Sequence, residues 1–241
     1  MIRKKAATLK RNTIRWRSHE PTRLETFSDA VFAFAVTLII VSLEVPKSFD
    51  ELFETMKGFV SFGACFTILF LIWNNQNIFF RRYGVVDAYT TFLNGVLLFL
   101  VLTYTYPLKF LFTLVFSADG TYLSHGEKLS MIREDQVPTL MYVYDTGYML
   151  IYLLFYLMHR HARNLALKLE LTPYEIFETS SQMYINLLNV LIGLLAIIID
   201  FALPGPFKGA SGYTYFLIPV VFFIFYRFRA RRSKKLFETI E

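Results

Sequence analysis

Six long apolar runs dominate the chain, separated by polar or charged connections. They lie at roughly 25–46, 51–80, 87–116, 138–160, 176–201 and 213–228. Each is near or above the ~20 residues a helix needs to cross a bilayer. Pro46, Pro138, Pro173, Pro204 and Pro206 mark ends or turns, because proline lacks the N–H a helix interior needs. The one long polar connection is Ser117 to Val137. The pattern predicts an all-α polytopic membrane protein with six transmembrane helices. Residues 25–228 form its membrane domain, flanked by basic segments at 1–24 and 229–241. No internal repeat is visible.

An even number of spans puts both termini on one side, and the basic residues say which. Of the 25 Lys and Arg, Lys47, Lys128, Arg133 and Lys208 fall on one side, while Lys57 and Lys109 lie within spans. All the others fall on the side of the termini. Basic residues concentrate on the cytoplasmic side of membrane proteins, so both termini are expected in the cytoplasm. The same distribution accounts for the net charge of +6. Membrane lipid headgroups, and not nucleic acid, are the expected partners of the basic tails.

Composition agrees with the pattern. The chain is 55% hydrophobic and 18% aromatic, which excludes an ordinary soluble domain. Residues 1–24 are too polar and too charged for a cleavable signal peptide. Cys65 is the single cysteine, so no intrachain disulfide forms. His159 and His161 are a His-x-His pair without a Cys or acidic ligand cluster, and are expected in a solvated basic connection. No phosphate-binding loop, zinc-protease or serine-hydrolase motif is present, so no enzyme is expected.

The first span carries the most informative chemistry. It opens Arg23-Leu-Glu-Thr-Phe27-Ser28-Asp29, and a charge there is costly in lipid unless it has a partner or water. On a helix, Phe27, Leu38, Val41 and Val45 lie within about 40° of Phe34, with Thr37 about 60° away. Ser28 and Asp29 project about 120° and 140° from that ridge, toward neighbouring helices. Span 2 ends in Trp73-Asn74-Asn75-Gln76-Asn77, a run of amides at the same membrane depth that also needs partners. Arg23 and these amides are the expected partners of Asp29. Asn94, Asn186 and Asn189 are expected to bond between helices, and Lys109 to reach toward the interface. Asp145 and Asp200 are expected to be solvated near outer helix ends.

The opening R-x-x-x-F-S-D of span 1 resembles the transmembrane protein 175 family of potassium channels, in its bacterial form. The resemblance implies a homotetramer in the bacterial plasma membrane, because one six-span unit cannot enclose a central pore. It implies that helix 1 lines that pore. Its apolar rings Phe34, Leu38 and Val41 then form the constriction, and Thr37 takes part in selecting a transiently bound potassium ion. Arg23, Phe27, Ser28, Asp29, Trp73, Asn74, Gln76 and Asn77 form the signature polar network. Two departures stand out. Phe34 occupies a position where Leu or Ile is expected, which leaves open which ring is tightest. Gln76 and Asn77 stand where a histidine is common, so a pH response carried by that histidine is not expected. No T-V-G-Y-G filter is present, so weak potassium selectivity must arise without a carbonyl cage. Potassium is the permeant ion, and no cofactor is implied. A secondary transporter coupled to protons or cations through Asp29, Asp145 or Asp200 is the alternative. The absence of Gly and Pro between Phe27 and Val45 argues against it.

Overall fold

The structure is a computed structural model, and it describes residues 14–18, 20–41, 47–117, 120–124, 127–203 and 210–238. Six helices carry the fold: α1 (Arg23–Val41), α2 (Phe49–Tyr83), α3 (Ala88–Phe116), α4 (Val137–Asn164), α5 (Pro173–Ala202) and α6 (Leu217–Ser233). Each coincides with a segment long and apolar enough to cross a membrane. Val45 lies outside the described residues. The long polar connection is not featureless. It folds an antiparallel hairpin, β1 (Thr121–Ser124) against β2 (Glu127–Ser130), followed by a 3-10 turn.

Local signals explain where the helices begin. Thr22 accepts from the Glu25 amide at 3.3 Å and the Glu25 carboxylate accepts from the Thr22 amide at 2.7 Å, a reciprocal cap that starts α1. Thr172 and Glu175 do the same for α5, with Pro173 in the first turn. Asp87 caps α3 through the Thr90 amide at 2.8 Å. Helices reach past the apolar runs because their polar ends continue into the headgroup region. Thus α4 runs to Asn164, and α6 continues into a π-helical turn, Lys234–Glu238.

Lipid is as apolar as a core side chain, so close packing and hydrogen bonds hold such helices together. One core joins α2, α3 and α4 through Phe79, Phe80, Tyr83, Leu97, Phe155 and Met158. A second fastens α1 through Phe32, Ala35 and Ile39 to Cys65 and Leu69 of α2 and Leu98 and Val101 of α3. Small residues allow close approach where α4 meets its neighbours. A Cβ at Gly147 would overlap the Tyr104 ring, and one at Gly193 would lie 3.0 Å from the Met149 Cβ. Tyr104 donates to the Val143 carbonyl at 2.9 Å, and Tyr144 to the Pro107 carbonyl at 2.5 Å, tying α3 to α4.

The first described residues lie against the bundle end where α2 finishes and α5 begins. The Arg17 and Ser18 amides donate to the Arg81 carbonyl. Arg17 pairs with Glu175 at 3.0 Å, and Arg15 at 3.4 Å. Phe237 at the other terminus packs on Tyr174 and Phe177 of the same end. The first and last described segments therefore approach one end of the bundle, called here the proximal end.

Candidate functional site

The proximal half of α1 is anchored by polar contacts on one side and bare on the other. Ser28 is fully buried. Its hydroxyl donates to the Leu24 carbonyl at 2.7 Å and accepts from the Asn94 side-chain amide at 2.9 Å. The Asn94 oxygen in turn accepts from Gln76, which is also buried. One unbroken chain of hydrogen bonds, Gln76 to Asn94 to Ser28, thus links α2, α3 and α1 at a single level. Asp29 sits on the neighbouring face and accepts from the Trp73 indole N–H at 2.6 Å. Phe70 stacks beside that indole with ring centres 5.4 Å apart, continuing a ladder through Phe66.

The expected partner of Asp29 is corrected on this point. Arg23 is exposed and makes no contact with it, and Asn74 and Asn77 take no part in the network. The tryptophan indole satisfies the carboxylate instead, from the residue immediately before the amide run. Ser28, Asp29, Trp73 and Gln76 are brought together. Asn94, expected only to bond between helices, is the central link.

The other face of α1 is largely uncovered by the described residues. Phe27 is 62% exposed, Phe34 56% and Val41 72%, with Thr37 exposed between them and Leu38 half-buried. Phe27, Phe34 and Val41 recur every seven residues, two helical turns, and so form one stripe. The Thr37 hydroxyl donates to the Ala33 carbonyl at 2.9 Å. Its proton is therefore turned back along the helix, and its lone pairs face outward. At the distal end Lys109 donates to the Ile39 carbonyl at 3.3 Å, holding the last turn of α1 against α3.

Three further expectations fall to burial. Asp145 and Asp200 are not solvated: both are buried. Asp145 accepts from the Tyr215 hydroxyl at 2.5 Å, while its second oxygen and both oxygens of Asp200 have no hydrogen-bond partner among the described residues. His159 is buried on α4, where Nδ1 meets the Phe155 carbonyl at 2.8 Å. His161, on the same helix, lies 2.6 Å from Asp87. A basic helix end, continuous with α4, replaces the solvated connection. Partial burial pulls the Asp87 carboxyl upward, but hydrogen bonds from His161 and Thr90 outweigh it. They hold the group at about 2, well below the usual carboxylate range. Asn186 meets His159 at 3.4 Å, and Asn189 accepts from Tyr148 at 2.5 Å, so these amides do bond between helices.

A sequence model of the family described as endosomal/lysosomal potassium channel TMEM175 matches residues 23–104, the stretch holding α1, α2, most of α3 and the whole hydrogen-bond chain. A potassium channel of Marivirga tractuosa is 37% identical over 233 residues, covering 92% of this chain and 93% of that protein. One from Streptomyces collinus is 30% identical over 95 residues, 37% of this chain and 46% of that protein. The crystal structure of the potassium channel MtTMEM175 superposes with a TM-score of 0.79 at 35% identity, covering 91% of this chain and 97% of that one. A TMEM175 homologue from Chamaesiphon minutus shares the fold at 20% identity, with a TM-score of 0.53 over 86% of this chain and 96% of that one. These relatives are channels, not enzymes. The chain belongs to the TMEM175 family of potassium channels.

Proposed function

We propose that four copies of this chain surround a pore lined by α1 and conduct potassium with weak selectivity over sodium. The division of α1 into two faces carries this reading. One face is fixed to α2 and α3 by Phe32, Ala35, Ile39 and the Ser28–Asn94–Gln76 chain. The opposite stripe of Phe27, Phe34 and Val41 is left open. Rings of Phe34, Leu38 and Val41 around a fourfold axis would offer an ion no charge, so an ion must shed water to pass. Potassium sheds water more readily than sodium, which gives a modest preference without a carbonyl cage. Thr37 presents hydroxyl lone pairs beside that constriction and replaces part of the lost hydration. Both termini are cytoplasmic in this reading, and the membrane is the bacterial plasma membrane.

The test is flux from liposomes holding a potassium gradient, read alongside proton movement. Uncoupled flux down either cation gradient is expected. Phe34→Ala and Leu38→Ala are expected to raise conductance, and Thr37→Ala to lower the potassium preference. Unchanged conductance and selectivity in all three variants would remove α1 from the pore. Obligatory exchange would favour a transporter, a reading to which the buried Asp145 and Asp200 give some support because carboxylates inside a membrane commonly mark proton or ion paths.

A further inference from the structure

A cavity of about 650 Å3 lies at the proximal end, between the last turns of α4, the start of α5 and the last turns of α6. Four cations line it: Arg163 of α4, Arg231 and Arg232 of α6, and Lys235 of the π-helical turn beyond. Arg229 lines it too but is already committed. It donates to the buried Glu178 and lies 5.9 Å over both the Phe177 and Tyr226 rings. Among the described residues, no carboxylate pairs with Arg163, Arg231 or Arg232. The cavity is therefore strongly positive.

The rest of its lining is the rings of Phe177, Tyr184, Phe225 and Phe228, with the small side chains of Ser180 and Ser181. Phe237 packs on Tyr174 and Phe177 with ring centres 5.4 and 5.7 Å away, which fixes the π-helical turn, and Lys235 with it, over the cavity. On α6, exposed Leu217 and Ile224 and half-buried Val221 share the helical stripe of Phe228 and continue the apolar surface away from the cations. A cationic end grading into an apolar helix face matches an amphiphile lying along the membrane normal. It does not match a small soluble anion, which would gain nothing from the aromatic wall.

We propose that this cavity holds the phosphate headgroup of an anionic phospholipid, with the acyl chains running along α6. The assignment to the cytoplasmic leaflet rests on the orientation proposed above; binding itself does not. Basic pockets between membrane helices on the cytoplasmic side recognise such headgroups by charge, and guanidinium groups bind phosphate oxygens in pairs.

The experiment is native mass spectrometry of the full-length protein released from nanodiscs of phosphatidylcholine containing phosphatidylglycerol. Nanodiscs expose both leaflets, so the outcome is independent of orientation. The wild-type protein is expected to retain phosphatidylglycerol in preference to phosphatidylcholine. The double variant Arg163→Gln with Arg232→Gln is expected to lose that preference by about thirtyfold, since each basic residue near an anionic surface contributes about one factor of five. The control removes the same charge from the same end outside the cavity, through Arg160→Gln with Arg227→Gln. It is expected to retain the lipid. Equal losses in both double variants would reduce the effect to general surface charge and overturn the site. Displacement of the lipid by millimolar inorganic phosphate would overturn it as well, because the pocket would then be an anion site without need of acyl chains.

Discussion

At the scale of single residues, the signature at the start of α1 is a set of anchors as much as a motif. Ser28 and Gln76 each meet Asn94, so that one side chain closes both contacts. Replacing it by leucine would leave the buried Gln76 amide without its acceptor and the Ser28 hydroxyl with only its bond to the Leu24 carbonyl. An unmade buried hydrogen bond costs about 1–3 kcal/mol, more than an average interhelical bond contributes. Asn94→Leu is therefore expected to destabilise the detergent-solubilised protein by that amount, read as thermal unfolding followed by size-exclusion chromatography. Stability within about 0.5 kcal/mol of wild type would show that the amide chain is not what holds α1. Asp29 differs, because among the described residues its exposed carboxylate has a single hydrogen-bond partner, Trp73. Asp29→Ala is expected to weaken assembly more than it alters the ratio of potassium to sodium. A fully stable variant with a strongly changed ratio would place Asp29 in the ion path. The residue types and their membrane depth were legible in the chain. The choice of Trp73 over Arg23 was not, because it depends on how far α2 is rotated about its axis, and an apolar run in lipid leaves that rotation unspecified.

The elements themselves were the most legible part, and their ends the least. Apolar length announces a membrane helix directly, whereas the polar turns beyond the hydrocarbon carry no such signal. The α4 extension to Asn164 therefore hid the contact of His161 with Asp87. The hairpin at Thr121–Ser124 and Glu127–Ser130 was missed because two strands of four residues barely alternate. Two expectations belong at this scale. Gly147 lets α3 and α4 approach, since a Cβ there meets the Tyr104 ring. That ring is able to swing aside only by giving up its bond to the Val143 carbonyl. Gly147→Ala is expected to cost about 1–3 kcal/mol by overpacking, measurable as a fall in thermal midpoint. A neutral effect would mean that Tyr104 reorients freely. Asp87 caps α3, and Asp87→Ala is expected to cost about 1 kcal/mol near neutral pH. Its folded value of about 2 lies below the ordinary 3.8. The carboxylate's contribution is thus fully present above about pH 4 and is lost as pH falls through 2. The gap between wild type and variant should narrow over that range, and a gap independent of pH would show that the charge contributes nothing.

For the whole molecule, the argument rests on what one chain leaves uncovered and where its charges lie. The α1 stripe faces away from its own bundle, and α2 presents Phe59, Phe66 and Phe70 outward as well. Lipid would tolerate such a surface on any helix. It does not explain why an exposed hydroxyl and carboxylate, Thr37 and Asp29, stand among the exposed residues of α1, because polar groups facing hydrocarbon are costly. The proposed tetramer would supply both a water-filled axis and a neighbouring subunit to accommodate them. The mass of the intact particle in mild detergent is therefore expected to equal four chains. A stable monomer in detergent and in lipid would remove the pore. Orientation is a separate matter with its own signal. Arg15, Arg17, Arg81, Arg163 and Arg231 all gather at the proximal end, together with the first and last described segments, whereas the hairpin side is poor in basic residues. By the positive-inside rule, the proximal end is proposed to be cytoplasmic. Ser124→Cys, in the hairpin, is expected to react with a membrane-impermeant maleimide on intact cells, while Ser233→Cys, at the end of α6, should react only after lysis. The native Cys65 is buried and should stay silent in both measurements. The reverse labelling pattern would invert the topology while leaving the fold and the proposed tetramer untouched.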